Sequence, residues 1–148
     1  MLDTKRIKAK LREIRRRVYE LQSDFQKLSE EELISNETLY NAAEHHLQIS
    51  IQSCIDIASH IVAVLGLPAP SKETAEVFFS LAKEGIITEE FAKVMKDVVA
   101  YHNVIVHGYL DVDRHQTYLN IQKHLPDLAK FGQFIEEFLE KQEKAKRS

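Results

Sequence analysis

The chain has 148 residues, 44% of them hydrophobic and 29% charged, with a formal net charge of -3 at pH 7. That length fits one domain of roughly 100–150 residues, and the mix excludes a disordered chain, so a single domain over residues 1–148 with a frayed tail at 145–148 is expected. The acidic balance argues against a protein that grips nucleic acid mainly by bulk electrostatics, and no DNA partner is expected.

The start, MLDTKRIKAKLREIRRR, is charged where a signal peptide would be apolar. Between Asp3 and Arg17 there are eight Lys or Arg and two acids, a local +6 that leaves the rest of the chain at -9. Such a strip could steer a polyanion, but a charge run on a first helix is more often a solvated face. Ile7, Leu11, Ile14, Val18, Leu21, Phe25 and Leu28 step by four and three, which predicts one helix with a single apolar stripe. Ser29 and Glu32 give a Ser-x-x-Glu capping signal, and Asn36 caps a longer helix running to about Leu65. Its apolar cover is broad, so it should be central and deeply buried.

GLPAPSK, residues 66–72, breaks the pattern, because its prolines remove amide donors and favour extended neighbours. A short helix over 73–84 ends at Gly85, and Thr88 with Glu89 and Glu90 starts another that runs to His107, where Gly108 ends or bends it. Asp113 caps a last helix through Tyr118, Ile121, Leu125, Leu128, Phe131, Ile135 and Phe138, which Pro126 should kink or split. No strand-length stretch alternates with period two. The prediction is an all-α, up-and-down helical bundle of four long helices plus a short one. No apolar run approaches the ~20 residues that span a bilayer, and the single cysteine, Cys54, forbids an intrachain disulfide. A cytoplasmic location without a membrane is expected.

The chemistry concentrates in YHNVIVHGY, residues 101–109. His102, Asn103 and His107 lie where a helix nears its end, and Tyr109 adds a hydroxyl two residues on. Histidine suits acid-base work because its ordinary pKa, about 6.5, leaves both protonation states accessible near neutrality. On composition alone such residues are more often caps and packing groups. Asp56 and His60 have the one-turn spacing of two metal ligands on one helix face. Neither His-Glu-x-x-His nor a paired Glu-x-x-His accompanies them, so no metal or cofactor is expected.

NVIVHGY followed by LDVD resembles the HepT branch of the HEPN superfamily, whose signature is Arg-Asn-x-x-x-His-x-Tyr late in the fourth helix; Asn103, His107 and Tyr109 match it. NAAEHHLQISIQSCIDIASHI and GLPAPSKETAEVFFSLAKEGII are similar to that family's second helix and to its loop and third helix. The resemblance implies a HEPN-like homodimer acting as a metal-independent endoribonuclease toxin, with RNA as substrate. It also implies a minimal nucleotidyltransferase antitoxin that attaches AMP to the motif tyrosine. Carried over, His107 is the acid or base, Asn103 positions it or the phosphate, and Tyr109 contacts RNA or accepts AMP.

His102 stands where the family has Arg, a permanent cation that can hold phosphate with two donors, whereas an ordinary histidine is about one quarter charged at pH 7. Two explanations stand, a natural variant with altered or lost activity and an attenuating substitution, and the second is preferred. Many relatives place Arg after the Glu on the second helix where this chain has Glu44-His45. His45 and His46 point about a hundred degrees apart, so only one can easily face a shared cleft; His45 and Asp56 are the possible cleft residues. The alternative to an enzyme is a catalytically silent dimer serving as scaffold or binding partner of a nucleotidyltransferase. A blander one is a helical dimer of unrelated role.

Overall fold

The structure, a computed structural model, describes residues 1–68, 73–108 and 112–147. Among these residues the secondary structure is entirely helical: α1 Thr4–Glu20, α2 Glu30–Ser35, α3 Glu37–Leu65, α4 Glu76–Lys83, α5 Glu89–His107, α6 Arg114–Lys123 and α7 Leu125–Arg147. α1, α3, α5 and α7 are the long helices, and α2, α4 and α6 are short.

The boundaries follow local chemistry. Ser29 and Glu32 close a reciprocal capping box on α2, and Asn36, in extended backbone, accepts the Leu39 amide to open α3. Asn36 thus separates two helices. α3 and α4 both end on a left-handed glycine. Gly66 (φ 66°) lets the Leu67 amide reach the Val62 carbonyl, and Gly85 (φ 80°) lets the Ile86 amide reach that of Leu81. Pro126 splits the last expected helix. With no N–H to offer Gln122, it cannot continue α6, but it is tolerated in the first turn of α7, where amides have no helical partner anyway. α7 is helical to Arg147, and Lys144, Lys146 and Arg147 in its last turn complement the helix dipole; Ser148, the end of the tail expected to fray, lies outside the described residues.

The stripe predicted for α1 is buried through Val18 and onward through Leu21 and Phe25. Its continuation is a π turn, Leu21–Phe25, in which the Gln26 amide bonds the Leu21 carbonyl while the Ser23 hydroxyl takes that of Tyr19. α1 packs on α3 and α7, and α4 and α5 cover another side of α3. Phe78 of α4 meets Phe131 of α7 edge to face, both fully buried, with ring centroids 5.7 Å apart. Length and composition alone make α3 a candidate membrane span. Its apolar sides are instead the floor of this core, with Ala43, Cys54, Ala58 and Ile61 at 0% exposure.

The basic strip of α1 is largely paired. Lys8 faces Glu143, Lys10 faces Asp56, Arg15 faces Glu136, and Arg16 and Arg17 share Glu13, two of these contacts reaching α7 and one reaching α3. Most of its charge therefore serves the fold and its solvated face.

Candidate functional site

α5 carries the candidate residues, and its two faces separate them. Thr88 caps it by accepting the Phe91 amide. Phe91, Ala92, Met95, Val99 and His102 then fall on the buried face, while Lys96, Ala100, Asn103 and His107 return at three- and four-residue steps on the exposed one. Asn103 and His107 are thus stacked one turn apart, facing solvent, with Val104 (44% exposed) beside them. Gly108 ends the helix: its amide bonds the Val104 carbonyl at 2.6 Å, and a Cβ there would run into that oxygen. Tyr109 lies outside the described residues.

His102 points inward. It is 5% exposed, and its Nε2 lies 3.0 Å from Gln52 Oε1 on α3. Burial holds its pKa below the usual imidazole value, and the neighbouring His107 pushes the same way, with Asp56 opposing. At pH 7 the ring is therefore less charged than the quarter expected of an ordinary histidine. It supplies neither a permanent cation nor an accessible surface in the place where the resemblance calls for arginine.

Gln52 and Asp56 sit one turn apart on the outward stripe of α3, and His45 shares that stripe two turns earlier. Asp56 accepts from Gln52 Nε2 at 2.9 Å and from Lys10 Nζ at 3.1 Å. His45 is exposed. His46 packs inward: its Nδ1 takes Arg17 at 3.2 Å, its Nε2 faces Glu20 at 3.2 Å, and its ring sits edge-on to Phe25. The fold thus links Asp56 to His102 through Gln52, leaves Asn103 and His107 on the adjacent exposed face of α5, roughly 100–140° round the helix from His102, and sets His45 two turns from Gln52 along the α3 stripe.

Asp56 and His60 do not act together. His60 Nε2 accepts the Asp3 amide at 3.0 Å, while Asp56 is engaged with Lys10 and Gln52. Among the described residues no group of three or more His, Cys, Asp or Glu is placed to hold a metal. Cys54 is fully buried, which pushes its thiol pKa up and leaves it inert.

Sequence reasoning missed two features. Gln52 was not singled out, although its i, i+4 relation to Asp56 on a polar stripe was there to read. The other is a buried hydroxyl cluster next to the site: Tyr101 and Tyr40 both bond Thr117 Oγ1, at 2.8 and 3.0 Å, joining α5, α3 and α6. A cleft of about 610 Å³ lies between α3, α5, α6 and α7, lined by Leu47, Ile51, Val98, Tyr101, Asn120 and Asp127 among others. His45, Asp56, His102, Asn103 and His107 all lie outside it. Asn103 and His107 stand instead on an open helix face, an arrangement suited to a site completed by a second surface.

Three comparisons bear on this geometry. The family model described as ribonuclease HepT-like matches residues 7–135. An mRNA nuclease HepT from Shewanella oneidensis is 34% identical over 101 residues, covering 67% of this chain and 71% of that protein. A tRNA nuclease HepT from Aphanizomenon flos-aquae is 30% identical over 115 residues, 78% of each chain. Among solved structures, the tri-AMPylated Shewanella oneidensis HEPN toxin in complex with MNT antitoxin matches with a TM-score of 0.80 at 28% identity, over 93% of this chain and 99% of that one.

Proposed function

The chain belongs to the ribonuclease HepT-like family, and from that premise we propose that it is a metal-independent endoribonuclease toxin of a toxin–antitoxin pair. In this reading it works as a cytoplasmic homodimer and is silenced when its nucleotidyltransferase antitoxin transfers AMP to Tyr109. The observation that carries the reading is the end of α5, where Asn103 and His107 are presented together on a face that is exposed among the described residues.

The chemistry follows from what that face offers. Cleavage of RNA without metal needs a base to take the 2'-hydroxyl proton as that oxygen attacks phosphorus, and an acid to give a proton to the departing 5'-oxygen. Two subunits meeting at this face bring two copies of His107 to one phosphate. One acts neutral as base, and the other acts protonated as acid and offsets charge on the phosphoryl oxygens. Asn103, one turn earlier, has an amide to orient the phosphate or the ring. His102, buried and with its pKa held down by burial, does not reach RNA, whereas an arginine's longer stem can carry its guanidinium out to the exposed face. Its place in the motif is the reason activity should be lower than an arginine at the same position would give.

AMP transfer from ATP joins the Tyr109 oxygen to the α-phosphorus and releases pyrophosphate. The product adds bulk and negative charge two residues from His107, which opposes entry of an RNA phosphate. A catalytically silent dimer that scaffolds the transferase is the second reading, and it is favoured by one observation, a buried histidine at position 102 where the motif has a permanent cation.

The experiment is RNA cleavage before and after incubation with the transferase and ATP, with the chain's mass followed in parallel. The proposal predicts cleavage that stops as adenylyl groups appear on Tyr109. Transfer of AMP to a chain that never cleaves would instead establish the scaffold.

A further inference from the structure

We propose that Gln52 and Asp56 are positioning residues: with Lys10 they hold His102 in its Nε2–H tautomer and pin the last turns of α5 to α3, so that Asn103 and His107 are presented from a fixed helix end.

The tautomer follows from donor and acceptor accounting. Asp56 receives Lys10 Nζ on one oxygen and Gln52 Nε2 on the other. An ionised carboxylate only accepts, so Gln52 must turn its NH₂ toward Asp56 and its oxygen toward His102. An amide oxygen also only accepts. The proton shared across the 3.0 Å contact with Gln52 therefore sits on His102 Nε2. The other ring nitrogen, Nδ1, then carries a lone pair. It is buried and has no hydrogen-bond partner among the described residues.

That unpartnered nitrogen makes the lock necessary. Without Asp56 to orient Gln52, the amide could turn over and donate to Nε2, which would move the proton to Nδ1 and leave a donor buried without an acceptor. A second proton would bury a charge beside His107. The contact crosses fifty residues of sequence and ties the end of α5 to α3 through side chains. His107 follows His102 by five residues, so the orientation of the exposed face is set one to two turns from this anchor.

The tautomer is independent of the proposed function, since its readout is spectroscopic. The experiment is ¹⁵N NMR of the histidine ring nitrogens in the full chain above neutral pH, with His102 assigned by its absence in His102→Gln. The wild type should show Nε2 protonated and Nδ1 bare. Asp56→Asn should mix the two tautomers. Adding Gln52→Glu to that variant should restore the Nε2–H form, because a carboxylate at position 52 can only accept, both from His102 and from the amide introduced at position 56. Gln52→Leu removes the anchor, and hydrogen exchange at the amides of Val104 to His107 should speed up about fivefold relative to the core of α5. A wild-type ring protonated on Nδ1, or an Asp56→Asn spectrum unchanged from wild type, overturns the lock. Unchanged exchange at the end of α5 in Gln52→Leu overturns the positioning role. RNA cleavage by the same proteins reports separately on the function.

Discussion

Replacing Thr117 by Val tests how the site's helix is seated, and the structure sets the size of the effect. Thr117 is fully buried, and its hydroxyl joins two phenols, Tyr101 of α5 at 2.8 Å and Tyr40 of α3 at 3.0 Å. Burial pushes both phenols up, Tyr40 to about 12, so neither escapes the cost of a missing partner by ionising. Valine keeps the shape and deletes the hub. Leaving a buried polar group unsatisfied costs about 1–3 kcal/mol, and losing one hydrogen bond of two about 1 kcal/mol; Tyr101 is left unsatisfied while Tyr40 keeps its hydrogen bond to Glu44, which places Thr117→Val at roughly 2–4 kcal/mol. Tyr40→Phe removes one spoke and leaves the Thr117–Tyr101 bond intact, which limits its cost to about 1 kcal/mol. Urea unfolding should give both values as midpoint shifts at constant slope. The double variant should fall short of the sum, since the two share one hydrogen bond. A Thr117→Val cost equal to or smaller than that of Tyr40→Phe would refute the hub.

Acidification should destabilise the fold below about pH 6.5. Burial holds His46 and His102 below their ordinary value, so the unfolded chain binds their protons first as pH falls through about 6.5. Their contribution is fully present above that pH and is lost on the way down to their folded values. His115, raised chiefly by its hydrogen bond to Glu30, acts in the opposite sense: its contribution is present below about pH 6.5 and is lost as pH rises through its folded value. Urea midpoints at about pH 7.5 and about pH 5.5 should fall in the wild type and fall less in His102→Gln; equal falls would show that His102 is not a source of the acid sensitivity. Gly66→Ala should cost about 1 kcal/mol and lower Tm by about 2–4 °C. A Cβ there meets open space, so the left-handed φ of 66° is the whole cost, and an unchanged Tm in calorimetry would contradict it.

The helices were legible wherever a cap or a breaker is local. Ser29, Asn36, Thr88 and Asp113 each bond an amide two or three residues on, and Pro126 and Gly85 stop helices by their own geometry. The π turn at Leu21–Phe25 was not legible, since Leu21 and Phe25 keep the four-residue spacing of an α-helix and differ only in which carbonyl the amides reach. The candidate site divides along the same line. Asn103 and His107 are an i, i+4 pair whose shared face follows from helix periodicity. The inward turn of His102 is set by Gln52, fifty residues away, and pairing of the basic strip depends on Asp56, Glu136 and Glu143 on other helices. Such contacts are decided by packing, which spacing along one helix does not encode.

The most direct measurement is cleavage of total RNA in EDTA by the wild type, His107→Ala and His102→Arg in matched preparations. The account predicts metal-free cleavage by the wild type, its loss in His107→Ala by at least the roughly 10²-fold typical of a missing acid or base, and a rise in His102→Arg, where a permanent cation joins the motif. Cleavage that His107→Ala leaves untouched, with the helical fold verified by circular dichroism, would contradict it.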